Sequence, residues 1–220
     1  MNNKIAALMA LLAILWMVIT GCGSREPEES PSTQPQTKSP TQPLQQAGNI
    51  ERKAPDFTLN SFDGKTISLS DYKGKIVVLE WFNYECPFVL RHYGSQPTMI
   101  GLANKYKDRN VVWLAINSTS HATPEANIGF AEKRKLPYPI LDDRSGKVGR
   151  AYGAKTTPHM YVIDTKGSIA YQGAIDNDER GRKGSNLINY VDRALTELTS
   201  GKEVSITDTM SYGCTVKYPD

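Results

Sequence analysis

Between residues 54 and 200, short apolar runs alternate with turn-forming residues and with stretches of helical period. The most apolar run is Ile76-Val77-Val78-Leu79, with Trp81 and Phe82 close behind. β-Branched and aromatic residues packed into so short a run predict a buried strand. Val111 to Ile116 predicts a second buried strand, Tyr138 to Leu141 a short one, and Met160 to Ile163 a fourth. Ala54 to Leu59 and Thr66 to Leu69 flank an Asp63-Gly64 turn and predict a hairpin. Asp164 to Gly167 predicts another turn, with Ser168 to Gln172 as the strand returning from it. Helices are predicted from Pro87 to about Tyr93, Met99 to Tyr106, Pro124 to Lys135, Gly146 to Tyr152 and Leu187 to Leu198. The last has the strongest period, with Leu187, Ile188, Val191, Leu195 and Leu198 on one face. Residues 173–184 read as a loop, and 201–220 show no period. Strands alternating with helices imply a mostly parallel sheet covered on both faces, and the Asp164–Gly167 hairpin adds an antiparallel pair.

This pattern gives one cysteine a special place. After the strand at Ile76 comes a polar break, Asn83-Tyr84-Glu85, then Cys86 and Pro87. Proline suits the first position of a helix, where its missing N–H would be unpaired anyway. Cys86 is therefore expected where a strand hands over to a helix. The positive end of the helix dipole stabilises a thiolate there. Glu85 beside it is expected to raise the thiol pKa and oppose the dipole.

Composition changes the picture mainly at the N-terminus. The chain has 220 residues, a formal charge of +3, 39% hydrophobic and 22% charged residues. That charge is too weak to imply nucleic acid. Residues 1–21 read as a signal segment: Lys4 supplies the positive region, and Ile5 to Ile19 is an apolar stretch of 15 residues. That is short against the roughly 20 residues of a spanning helix. Residues 22–50 are rich in Pro, Ser, Thr and Gln and read as a flexible tether. Residues 51–220 are of a length for one domain, with 201–220 as its tail.

Two resemblances follow from these motifs. Ile19-Thr20-Gly21-Cys22 resembles the lipobox of bacterial lipoproteins. That resemblance implies a lipid on Cys22 and a place in the bacterial cell envelope, tethered to a membrane and facing the periplasm or exterior. The second covers roughly 53–200. Ala54-Pro55-Asp56-Phe57 looks like the opening motif of redoxins, Val77 to Val89 like a redoxin strand–loop–helix active site, and Thr157-Pro158 like the cis-proline element. Together they resemble the redoxin (AhpC/TSA-like) branch of the thioredoxin-like superfamily. This implies a three-layer α/β/α sandwich with a mixed central sheet and an N-terminal β-hairpin extension.

Carried over by position, Cys86 takes the place of the attacking cysteine and Val89 that of the second motif cysteine. Glu80 takes the place of the buried acid that moves protons. Pro158 matches the cis-proline, and Thr157 would offer backbone groups to a substrate. The peroxiredoxin pattern fits less well, since its Thr/Ser and Pro positions hold Asn83 and Leu79. Ser211 to Lys217, reading Ser-Tyr-Gly-Cys-Thr-Val-Lys, resembles the Gly-Cys-x-(Ile/Val)-Lys ending of some redoxin-like proteins. That makes Cys214 a candidate resolving partner of Cys86.

Three readings stay open at this point. One is a thiol–disulfide oxidoreductase in which Cys86 attacks and Cys214 resolves, acting on protein thiols and disulfides. A peroxiredoxin-like thiol peroxidase, acting on peroxide, is its variant. The other two are a structural Cys86–Cys214 disulfide, credited with about 4–5 kcal/mol for so long a loop, and a non-catalytic binding module. The upstream electron donor is unspecified, no cofactor is implied, and no Cys/His spacing supports a metal site. Glu80 is either a proton relay or an edge carboxylate, with Leu79 and Trp81 arguing for burial. His92 reads as a surface histidine and Arg91 as part of a solvated face. His121 reads as solvated and His159 as a packed strand residue.

Overall fold

The computed structural model describes residues 52–94 and 97–220. The signal segment 1–21, the tether 22–50 and Cys22 lie outside the described residues. The described residues open with a hairpin, β1 (Thr58–Asn60) and β2 (Thr66–Ser68), turning at Gly64. The central sheet is built from β3 (Ile76–Trp81), β4 (Val111–Asn117), β5 (Ile140–Asp142), β7 (His159–Ile163) and β8 (Ile169–Gly173). Its spatial order is β5-β4-β3-β7-β8. β3 runs parallel to β4, and β4 to β5, while β7 is antiparallel to both β3 and β8. The sheet is mixed, as the family resemblance implied, but two of its four pairings are antiparallel where the alternation of strands and helices implied a mostly parallel sheet, because β7 also joins β3 antiparallel.

β3 sits at its centre, paired on both sides. Its alternate residues point to opposite faces. Ile76, Val78 and, beyond the strand, Phe82 join one buried cluster, with Cys86, Val89 and Tyr93. Val77, Leu79 and Trp81 join the other, with Tyr152 and Tyr161. All six residues of β3 are buried. This is why the strand reads as a continuous apolar run: a strand covered on both faces has no polar side to alternate with.

The helices are α1 (Pro87–His92), α2 (Thr98–Tyr106), α3 (Pro124–Arg134), α4 (Lys147–Tyr152) and α5 (Tyr190–Thr199). Pro87 and Pro124 each stand at the start of a helix, and Thr123 caps α3 by accepting from the Ala126 N–H. One boundary differs from the sequence pattern. Leu187 and Ile188 are exposed, because α5 starts only after Asn189, whose side chain accepts the Asp192 N–H as its cap. A good cap outweighed a hydrophobic period that ran past it. The tail also differs. It carries a two-residue strand, β9 (Cys214–Thr215), paired antiparallel with β6 (Thr156–Thr157).

Candidate active site

The thiol of Cys86 is delivered by β3 and α1 acting together. Cys86 occupies the N-cap of α1 in extended conformation, with Pro87 following. Its N–H bonds Asn83 O at 3.1 Å, which closes the turn out of β3. The Asn83 side chain accepts from the Glu85 N–H at 2.8 Å. The residue at the peroxiredoxin Thr/Ser position is thus part of the turn itself.

Cys214 arrives from the opposite end of the chain. Its Sγ lies 2.8 Å from Cys86 Sγ, and Cys86 Sγ lies 2.9 Å from Thr157 O. A disulfide bond is about 2.05 Å long, so less than an ångström separates the thiol pair from a bond. The Thr157–Pro158 peptide is cis. Thr157 opposes Cys214 in the β6–β9 pair, so the element before the cis-proline holds both sulfurs.

The two thiols differ in acidity. Burial alone would push Cys86 up. The Cys214 thiol, Thr157 and the backbone of Val89 and Cys214 more than offset this, and its pKa lies below the ordinary value. Burial, the hydrogen bond to Cys86 and the charge on Cys86 push Cys214 up to about 11. Cys86 is the more acidic thiol of the pair and Cys214 the less acidic. The expected opposition from Glu85 does not decide the outcome, because Glu85 pairs instead with His121 at 2.9 Å. His121 Nε2 is therefore hydrogen-bonded to a carboxylate at the surface rather than simply solvated.

Glu80 is fully buried and sits in the middle of the sheet, not at an edge. Tyr93 donates to its two carboxylate oxygens at 2.8 and 2.9 Å, and Trp113 Nε1 donates at 3.0 Å. Tyr138 lies 2.8 Å beyond the Tyr93 hydroxyl. Burial outweighs these donors and raises Glu80 to about 7. Among the described residues no hydrogen bond joins Glu80 to either sulfur.

His92 and Arg91 are placed differently from their sequence reading. His92 is buried, with Nε2 3.1 Å from the Tyr212 hydroxyl, and burial lowers its pKa to about 4. Arg91 donates to the same hydroxyl at 3.1 Å and to Glu179 O. Tyr212 in turn donates to the buried Asp176 at 2.6 Å. This cluster ties the tail, two residues before Cys214, to α1 and to the loop after β8. Sequence reasoning missed Tyr212 and Asp176. The only signal was the Tyr212-Gly213-Cys214 run, and nothing local marks its partners. His159 is buried against Tyr161, as its position in a strand implied.

The sheet order, the cis-proline and a cysteine capping the first helix after the central strand define a thioredoxin-like redoxin. More particularly, the chain belongs to the AhpC/TSA family, whose model matches residues 50–172. The thiol-disulfide oxidoreductase ResA of Bacillus thuringiensis subsp. konkukian is 30% identical over 120 residues, 54% of this chain and 66% of that protein. Peroxiredoxin Q of the Triticum aestivum chloroplast is 34% identical over 125 residues, 53% of this chain and 55% of that protein. The chain thus spans between about half and two thirds of these relatives. A solved structure of a conserved protein from Geobacillus kaustophilus matches with a TM-score of 0.69 and 29% identity, covering 77% of this chain and 92% of that one.

Proposed function

We propose that the chain is a thiol–disulfide oxidoreductase, tethered through a lipid on Cys22 and working outside the cytoplasm. Cys86 is its nucleophile and Cys214 its resolving cysteine. The observation that carries this reading is the 2.8 Å approach of two thiols of opposite acidity. The relatives named thiol-disulfide oxidoreductase support the same chemistry. A structural disulfide needs neither a thiolate-stabilising helix end nor an acidity difference.

The cycle runs in two exchanges. The Cys86 thiolate attacks one sulfur of a substrate disulfide. A bond forms between Cys86 and that sulfur, the old S–S bond breaks, and the other half leaves as a thiolate that takes a proton from solvent. Cys214 then gives up its proton and attacks Cys86 Sγ. The Cys86–Cys214 bond forms and the second half leaves as a thiolate. Two electrons have passed from the chain to the substrate, and an external dithiol returns them. Glu80 serves as a buried proton reservoir near neutral pH rather than as a direct partner of sulfur.

A second reading, thiol peroxidase, draws on the burial of Cys86, which is 2% exposed and favours a small oxidant, and on the peroxiredoxin relative. Here the thiolate takes one peroxide oxygen to become a sulfenic acid, the other oxygen leaves as hydroxide from hydrogen peroxide or as alkoxide from an organic peroxide and takes a proton, and Cys214 condenses with the sulfenic acid to release water. One experiment separates the two. The reduced chain is mixed with a stoichiometric small disulfide or with hydrogen peroxide, and the Cys86–Cys214 disulfide is followed by mass. Faster oxidation by the disulfide is expected. A peroxide rate exceeding it favours the peroxidase, and no disulfide with either oxidant ends both readings. Cys214→Ser should trap the mixed disulfide on Cys86.

A further inference from the structure

The tail does more than deliver a thiol. Thr215 opposes Thr156 and Cys214 opposes Thr157, so β9 lies along the edge of β6 beside Cys86. An exposed strand edge of this kind takes an extended chain by β-addition. Here the chain fills its own edge, and Cys86 is left 2% exposed beneath it.

The fit is tight at one point and incomplete at another. Gly213 holds φ +130, and a side chain there would bring its Cβ to 2.1 Å from Thr157 O and 3.3 Å from Pro158 Cδ. Only glycine lets the backbone before Cys214 approach so closely. The Thr157 hydroxyl, in contrast, is buried and takes no hydrogen bond from the tail; the group it acts on is the Cys86 thiol. The seated tail thus pairs with the backbone of this edge and adds nothing to its one buried hydroxyl. The ladder itself is only two residue pairs long. An incoming strand that makes the same backbone bonds replaces them one for one. The rest of the hold on the tail lies outside the edge. Tyr212 is held by Asp176, Arg91 and His92 on one side of Cys214. On the other side, Val216 is buried and Tyr218 donates to Ala154 O at 2.8 Å.

We propose that Gly213–Thr215 is a resident self-ligand. It occupies the edge at which an extended, cysteine-bearing polypeptide segment docks, so Cys86 meets such a partner only when the tail lifts. The segment that replaces it carries glycine immediately before its cysteine. This rests on the thiol–disulfide reading above.

The test uses the full reduced chain and three probes. One is a peptide with the sequence of residues 211–217, its cysteine activated as the mixed disulfide with thionitrobenzoate. The second is the same peptide with alanine before the cysteine. The third is the small reagent dithiobis-nitrobenzoate. In each case Cys86 attacks the probe disulfide and thionitrobenzoate leaves, which is read by absorbance; Cys214 then releases the probe and leaves the Cys86–Cys214 disulfide, read by mass, and Cys86→Ser shows how much of the signal belongs to Cys86. The glycine peptide should modify Cys86 roughly tenfold or more faster than the alanine peptide, as a backbone clash of this kind implies. Tyr212→Phe keeps the ring against Phe88 and loses the hydroxyl bonds. It should accelerate all three probes by one common factor, because each rate is multiplied by the same open fraction. Equal rates for the two peptides, or rates untouched by Tyr212→Phe, would overturn the proposal. If Cys86 reacts readily with the small reagent while the peptides do not differ, the self-ligand falls and the oxidoreductase reading stands. If Cys86 is inert to all three, both fall.

Discussion

Cys86 and Cys214 meet from opposite kinds of structure. Cys86 follows a strand that is buried along its whole length and paired on both sides. Cys214 rides on two residues of strand in a tail of otherwise irregular backbone, held by Tyr212 upstream and by Val216 and Tyr218 downstream. The first thiol is fixed by the core, and moving it requires unfolding the sheet. The second is fixed by separate contacts along the tail, which also include the Val216 N–H to Lys155 O and the Ser120 N–H to Lys217 O. In the proposed two-cysteine cycle, one sulfur stays in place while the other yields to a partner. Local stability of this uneven kind is common where function needs movement.

The comparison can be broken most forcefully in β3. Trp81 is fully buried against Tyr152 and Tyr161 and donates to Ser118 Oγ at 3.1 Å. Trp81→Ala should cost about 3–5 kcal/mol in chemical denaturation. A cost under about 1 kcal/mol would mean that the core does not fix Cys86 as described.

Next in size is the pH dependence set by Glu80. Its folded pKa is about 7 against 4.5 for the free group. A raised carboxylate pKa means that the fold favours the protonated form. That stabilisation is fully present below pH 4.5 and is lost as pH rises through 7. The difference amounts to about 3 kcal/mol across that window. Glu80→Gln should flatten this part of the stability profile while leaving the Cys86–Cys214 disulfide able to form. An unchanged profile, measured by denaturation at successive pH values, would show that Glu80 is not the group responsible.

The smallest effect belongs to the tail. Val216→Ala removes two buried carbons and should cost roughly 1–2 kcal/mol. It should also speed alkylation of Cys86 more than it lowers global stability, because the tail opens on its own. If alkylation and global unfolding change in step, the tail and the core form one cooperative unit, and the contrast drawn above fails.

Legibility in the sequence follows the same division. The strand at Ile76, the cysteine at a helix start and the turn at Asp164–Gly167 are all visible locally, because each depends on neighbours within a few residues. Glu80 is intermediate. Leu79 and Trp81 argued for burial, but its donors Tyr93 and Trp113 come from distant elements. His92 was misread because nothing within its own helix marks the approach of Tyr212, 120 residues away. Leu187 and Ile188 extended a helical period that the Asn189 cap cut short.

By itself the sequence determined most of the element order and the delivery of Cys86 to a helix end, since hydrophobic period, proline placement and turn residues act at short range, while the mixed sheet was implied by the family resemblance. Only the tertiary structure decided that the tail lies on β6, that Cys214 reaches Cys86, and that Tyr212 anchors it to Asp176. Those contacts join residues far apart in the chain. Their energy comes from the surfaces that folding brings together, and no local pattern of residues encodes it.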